Sequence, residues 1–207
     1  MSTSGKYRVI AYIDGFNLYF GLKSKNLKKY YWLDMHKLCK SLLEKEQQLV
    51  EVKYFTARIS APPDKVARQN AFLEAQSILG KTTTIFGKYL NKTIKCKTCG
   101  AIIPRPEEKM TDTNMAVQML LDAHHDRFDT ALLISGDTDH VPAIEAIQAT
   151  WPDKRVTVAL PPSRSNLHLK KIARCIHIYK SHLRKSQMPK QITRPDGYVL
   201  SCPQAWN

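Results

Sequence analysis

Acidic side chains are scarce in this 207-residue chain: 18 Asp and Glu stand against 32 Lys and Arg, a formal net charge of +14. An enzyme of small neutral metabolites has no need of that excess. The charge points to a polyanionic partner, nucleic acid or an anionic membrane surface, with plain solubility charge as the alternative. Apolar runs of membrane-spanning length are missing, which excludes a transmembrane helix on sequence grounds. The start, MSTSGKYR, carries no apolar stretch and no cleavage site, so no signal peptide and a cytoplasmic location are expected. Cysteine is sparse, five residues and an odd number. Without an export signal these are expected as reduced thiols or metal ligands, not as a disulfide framework. Apolar residues, by contrast, make up 43% of the chain, enough for a packed core. The length suits one α/β domain with small insertions.

Strand-like and helix-like segments alternate. RVIAYID (8–14), 50–59, 83–90, ALLIS (131–135), 155–160 and 175–179 read as strands; 17–27, 34–44, 64–79, 111–125, 141–150 and 165–171 have helical spacing. Alternation of this kind predicts βαβ units and a mainly parallel sheet covered on both faces. Residues 91–106 interrupt it with a Cys pair, a Gly and two prolines and read as a small insertion. The alternating domain spans 6–180, and 181–207 reads as a basic tail of little periodicity.

Ligands of open α/β sheets bind beyond the carboxyl ends of the strands. Asp14 ends the first strand, and Ser135-Gly136-Asp137-Thr138-Asp139 follows ALLIS. Asp112 opens the helix leading into that strand, on the face that packs on the sheet. Four carboxylates from distant segments thus converge on one edge. Clustered carboxylates repel unless a cation sits between them. Oxygen ligands with no His or Cys nearby suit Mg²⁺ or Mn²⁺, and such an ion can activate water at a phosphodiester. Taken singly, each acid has a plainer role: Asp14 in a turn, Asp112 at a helix N-terminus, Asp137 and Asp139 as caps.

These residues also carry a resemblance. YIDGFNLYF (12–20), KMTDTNMAVQML (109–120), ALLISGDTDHVPAI (131–144) and VTVALPPSRSNLHL (156–169) are similar to the NYN domain family, which includes the LabA-like proteins and belongs to the PIN-like metal-dependent ribonucleases. The resemblance covers about residues 6–180. It implies a PIN-like, Rossmannoid three-layer sandwich with strand order 3-2-1-4-5, and Mg²⁺ or Mn²⁺ held by Asp14, Asp112, Asp137 and Asp139. Asn17 stands beside them to position the substrate phosphate or a water on the metal. His140 stands where the family usually has an aromatic residue, and Thr111 where Val is common; neither departure removes a carboxylate.

Other signals are weaker. Cys96-Lys97-Thr98-Cys99-Gly100 is half a zinc knuckle; a closed zinc site needs four ligands, and only His124, His125, Cys175 and Cys202 could complete it. Two reduced thiols in a turn is the equal alternative. Ser163, Arg164 and Ser165, with Ser135, suit phosphate contact, although Ser165 could simply cap a helix. Lys23 follows Tyr19 and Phe20 in a basic and aromatic stretch of the kind that holds single-stranded RNA, although Tyr19, Tyr31 and Trp32 could as well be core. A phosphatase of the haloacid-dehalogenase type needs an acid two residues after Asp14, and Phe16 stands there, which excludes it. The expectation is an endoribonuclease acting on RNA, single strands favoured, with no membrane partner and a homodimer left open. A catalytically silent RNA-binding or protein-interaction module of the same fold is the alternative.

Overall fold

The structure, a computed structural model, describes residues 6–206, apart from the side chains at 89, 91 and 104–107. Residues 1–5, part of the start on which the signal-peptide expectation was read, lie outside the described residues, as do the side chains at both ends of the expected insertion.

β1 (Tyr7–Asp14) runs through the middle of the molecule. Alternate side chains enter opposite cores: Val9, Ala11 and Ile13 go to one face, Ile10 and Tyr12 to the other. A strand buried on both faces has no polar positions to alternate with, hence its continuous apolar sequence. β1 pairs in parallel with β2 (Gln47–Thr56) on one side and β6 (Thr130–Ile134) on the other. β3 (Thr83–Phe86) extends the sheet beyond β2, and β7 (Arg155–Leu160) and β8 (Arg174–His177) extend it beyond β6. The order is β3-β2-β1-β6-β7-β8.

The expected order of five strands, 3-2-1-4-5, is therefore corrected to six strands, because Arg174–His177 adds to the free edge of β7. The expected small insertion at 91–106 is corrected in its bounds. An antiparallel hairpin, β4 (Lys88–Lys95) with β5 (Ile102–Lys109), starts earlier and ends later than 91–106. The strand read at 83–90 splits at Gly87, whose N–H still reaches Thr56 O at 2.8 Å. A Cβ there would run into Thr111 Oγ1 and Lys109 O, so only glycine lets the chain leave the sheet at this point.

α1 (Gly15–Ser24), α2 (Met35–Lys40) and α3 (Pro63–Leu79) cover one face of the sheet. α4 (Thr111–His124), α5 (Val141–Thr150) and α6 (Leu167–Ile172) cover the other. Residues 180–206, basic in sequence, fold back on the α1–α3 side as α7 (Lys180–Lys185) and an antiparallel pair, β9 (Gln191–Thr193) and β10 (Val199–Ser201). Leu183, Met188, Ile192 and Leu200 anchor this segment in the core, at spacings too irregular to register as periodic. Among the described residues no helix is long and apolar enough to cross a membrane.

One buried polar network ties the sheet to α4. Asp122 Oδ2 accepts from Lys53 Nζ and from Tyr12 Oη, both at 2.6 Å, and Asp122 Oδ1 accepts from Arg127 at 2.8 Å. Lys53 and Asp122 are 3% and 2% exposed, so each buried charge depends on its partners, Lys53 with Asp122 and, at 3.9 Å, Glu51, and Asp122 with Lys53 and Arg127. The Asp122 charge and burial together hold the Tyr12 phenol well above its ordinary range, burial being the larger cause.

The chain leaves β1 toward β2 and later returns to its other side as β6. The crevice between the carboxyl ends of β1 and β6 is the switch point where doubly wound sheets bind ligands.

Candidate functional site

Asp14 sits at that switch point, 6% exposed. Its Oδ1 accepts from Asn17 N at 2.9 Å and so caps α1; its Oδ2 accepts from Ser135 Oγ at 3.0 Å, across the crevice. Ser135 Oγ in turn accepts from Asp137 N at 3.1 Å. Asn17 Oδ1 accepts from Gly136 N at 3.0 Å. These bonds lock the start of α1 to the loop after β6. Gly15 permits the close approach: a Cβ would lie 2.6 Å from the Tyr54 ring and 2.7 Å from Phe55 O.

Asp112 enters from the first turn of α4, half-buried. The third member of the cluster is His140, and its presence corrects the expectation of oxygen ligands alone. Its Nε2 lies 3.6 Å from Asp112 Oδ1 and 3.9 Å from Asp14 Oδ2. The imidazole is fully buried, and neither ring nitrogen has a hydrogen-bond partner. A turn of 3-10 helix, Thr138–His140, produces this placement. Asp137 Oδ1 caps it by accepting from Asp139 N at 3.1 Å. Within the turn Asp139 faces solvent while the next residue, His140, turns inward.

Among the described residues, one group of three or more His, Cys, Asp or Glu side chains brings its ligand atoms within 4.8 Å of one another: Asp14, Asp112 and His140. Asp137, half-buried, and Asp139, exposed, lie outside that group but on the same edge, where both charges act on Asp112. A buried, unpartnered imidazole nitrogen facing two carboxylates is a donor set that a divalent cation completes. The residues present therefore fit a metal ion.

The electrostatics agree. Burial raises the Asp112 carboxyl above its ordinary value; His140 opposes the rise, and Asp14, Asp137 and Asp139 add to it. For His140, burial works to lower the imidazole, but contact with Asp14 and the charges of Asp14, Asp112 and Asp137 outweigh it and hold it above its ordinary value. Glu108, near the end of β5, was not singled out in the sequence. Its Oε1 is buried without a hydrogen-bond partner. Burial, with the charges of Asp14 and Asp112 adding to it, pushes Glu108 up to about 7.

A pH dependence follows for the metal-free protein. Glu108 and Asp112 hold protons more tightly folded than unfolded, so the folded state binds more protons between their unfolded and folded pKa values. Stability from this source is therefore greatest at low pH and falls as pH rises from about 4.5 to about 7. In thermal melts with chelator, Glu108→Gln is expected to match the wild type near about pH 4 and to melt higher near about pH 8. Equal melting at both values would exclude the assigned strain at Glu108.

The remaining sequence-read residues are dispersed. The side chain of Arg164 packs against Gly136, where a Cβ would meet Arg164 Cβ at 2.8 Å, and its buried Nε has no hydrogen-bond partner. Ser163 Oγ bonds Ser24 Oγ, tying that loop to the end of α1. Ser165 is exposed and does not cap α6; Asn166 does, its Oδ1 accepting from His168 N at 2.9 Å. Lys23 is exposed on α1, its Nζ 5.8 Å from the Phe20 ring centre.

Cys96 and Cys99 lie at the hairpin tip, in a turn closed by Gly100 N to Cys96 O at 2.9 Å. Among the described residues no metal-type group of three or more includes either, so zinc at the Cys pair is unsupported. The hairpin grows from the β3 edge of the sheet, whereas Cys175 lies in β8 at the opposite edge.

A doubly wound parallel α/β sheet with a carboxylate-imidazole cluster at its switch point places that cluster where open α/β sheets bind their ligands. The NYN domain profile matches residues 8–179, and the chain belongs to the NYN domain family. That family is nuclease-like, and the buried Asp-Asp-His cluster could bind a metal ion. The chain is also similar to 6-hydroxy-3-succinoylpyridine 3-monooxygenase HspA of Pseudomonas putida, 29% identical over 239 aligned positions, covering 96% of this chain and 75% of the relative. That name describes oxygenation of a small aromatic acid and lends no support to hydrolysis. Among solved structures, a Vibrio parahaemolyticus protein of unknown function shares the fold, with a TM-score of 0.58 and 19% identity over 87% of this chain and 98% of the other.

Proposed function

We propose that the protein is a metal-dependent endoribonuclease that hydrolyses phosphodiester bonds of RNA, single strands favoured, in the cytoplasm. The observation that carries this is the buried, unpartnered Nε2 of His140 between Asp112 and Asp14, beyond the strand ends of a protein with a net charge of +14.

Asp14, Asp112 and His140 would hold the ion, with Asp137 and Asp139 completing the acidic edge. The imidazole favours Mn²⁺ over Mg²⁺, because Mg²⁺ takes oxygen ligands. When bound, a divalent cation there polarises the phosphate and lowers the pKa of a water. The protein's own groups fix the rest. Asn17 and Ser135 hold α1 and the loop after β6 in register, so the two sides of the crevice keep their separation. Asn17 is thus a positioning residue. Arg164 and Lys23 supply positive charge for flanking phosphates.

The test is cleavage of end-labelled single-stranded RNA and DNA with Mn²⁺, with Mg²⁺ and with EDTA, beside Asp112→Asn. RNA cleavage that needs the ion and is lost in the variant supports the proposal; cleavage that persists in EDTA removes it. RNA binding by the same variant is expected to weaken with salt, the slope of log affinity against log salt being about −0.7 per phosphate neutralised.

A second reading is favoured by a specific observation: an aromatic-walled cavity of about 220 Å³ includes Gly15 and Phe16, the two residues after Asp14. A small aromatic substrate of the kind the Pseudomonas relative is named for would suit such a cavity. Oxygen uptake with hydroxypyridines in the presence of an added two-electron donor such as a reduced nicotinamide, absent with RNA, would favour it.

A further inference from the structure

We infer that this cavity is a nucleobase subsite, which seats the base of the nucleotide next to the phosphate at the acidic cluster; the assignment rests on the ribonuclease proposal above. The cavity lies between α1, the end of β2 and α3, and Trp206 near the chain end forms part of its wall. Its position follows from the register of the sheet. Asp14 pairs with Phe55, so Tyr54 and Thr56, which line the cavity, stand on β2 next to the residue paired with Asp14. Gly15 and Phe16, the two residues after Asp14, belong to the cavity wall and join it to the acidic cluster along the chain.

The lining is a chain of ring contacts. Phe16 and Phe20 are stacked with centres 6.1 Å apart, Tyr19 and Tyr31 lie 5.1 Å apart, Tyr31 meets Trp206 edge-on at 5.7 Å, and Tyr54 meets Phe72 at 5.8 Å. Tyr31, Tyr54 and Phe72 are buried, Phe16, Tyr19 and Trp206 half-buried, and Phe20 is 45% exposed although it shares the apolar lining. Every base has a π-face, and stacking on such rings tolerates any sequence.

Charge selects the occupant further. The charged residues of the lining are Lys23, Lys65 and Arg68, with no carboxylate among the described lining residues. Arg68 is partly offset by Asp64 at 2.8 Å; Lys23 and Lys65 are exposed. A flat ring inside with an anionic group at the mouth is the chemistry of a nucleotide, and the phosphate on the near side would lie toward Asp14.

The experiment is calorimetric titration of the full chain in EDTA with adenosine 5′-monophosphate, ribose 5-phosphate and pyridine-3-carboxylate. The nucleotide is expected to bind and ribose 5-phosphate, which lacks the base, to bind about 5- to 150-fold more weakly, the range that one base–ring stack gives. Phe20→Ala should shrink that gap, while Lys23→Ala should weaken both phosphates alike. Equal affinity for nucleotide and ribose 5-phosphate, no nucleotide binding, a gap untouched by Phe20→Ala, or tighter binding of pyridine-3-carboxylate would overturn the assignment. Because the titration needs neither metal nor turnover, failure of RNA cleavage leaves its outcome intact. Likewise, RNA cleavage without nucleotide binding would reject the subsite and keep the ribonuclease.

Discussion

Asp14→Asn is expected to lower RNA cleavage by at least about 100-fold, the scale on which loss of one charge-stabilising group acts, while the metal-free protein melts at the same temperature or higher. The two halves have separate causes. An asparagine keeps Oδ1, so the cap on Asn17 N survives, and its amide can donate to Ser135 Oγ where the carboxylate accepted. Little of the local structure is lost. What disappears is a negative charge beside Asp112, whose carboxyl already carries the cost of burial and of its acidic neighbours. Removing that charge relieves the cluster and weakens its hold on a cation. Asp14→Ala would behave differently, losing the cap as well, at about 1 kcal/mol. Cleavage rates and melting curves of the two variants side by side check this. Asp14→Asn cleaving at the wild-type rate would take Asp14 out of the active site.

Asp122→Ala carries the largest expected effect on stability, a loss of about 3–5 kcal/mol, because it takes from the buried Lys53 ammonium its close counter-charge and leaves only Glu51, 3.9 Å away. Tyr12 Oη loses its acceptor in the same change. Asp122→Ala combined with Lys53→Met is expected to recover much of the loss, since an apolar pair of fitting size can replace a buried ion pair. Urea unfolding of the three proteins measures it. A single variant within about 1 kcal/mol of wild type would mean that the ion pair contributes no more than an exposed one.

The sequence carried the fold where a strand or helix depends on its own residues. β1, ALLIS and the helix at 141–150 stand out because their apolar positions match their burial. Gly80, in the left-handed region at φ 64°, ends α3 where its sequence position says it should. The hairpin was not legible, because β4 and β5 find their partners in each other outside the main sheet and expose Leu90, Ile94, Ile102 and Ile103. The same holds for the C-terminal segment, whose anchors are four scattered apolar residues among basic ones.

In the candidate site, the acids are visible in the sequence as residues at strand ends and, for Asp112, at a helix start. Their partner is not. His140 reads as a substitution at an aromatic position, and only the 3-10 turn shows that the residue after Asp139 points inward. Glu108 belongs to the hairpin and shared its obscurity. Lys53 and Asp122 lie 69 positions apart, so neither the buried lysine nor its need for a partner has a local signature.

The presence of His140 inside the acidic cluster makes the chemistry of the cut the most direct test. Metal-assisted attack by water leaves the ribose 2′-hydroxyl untouched and yields 5′-phosphate and 3′-hydroxyl ends. An imidazole acting as general base on that hydroxyl yields a 2′,3′-cyclic phosphate and needs no ion. End-group analysis of RNA cut by the wild-type protein in Mn²⁺ is expected to show 5′-phosphates, with no cut in EDTA; a 2′,3′-cyclic phosphate formed with or without the ion would contradict the metal site.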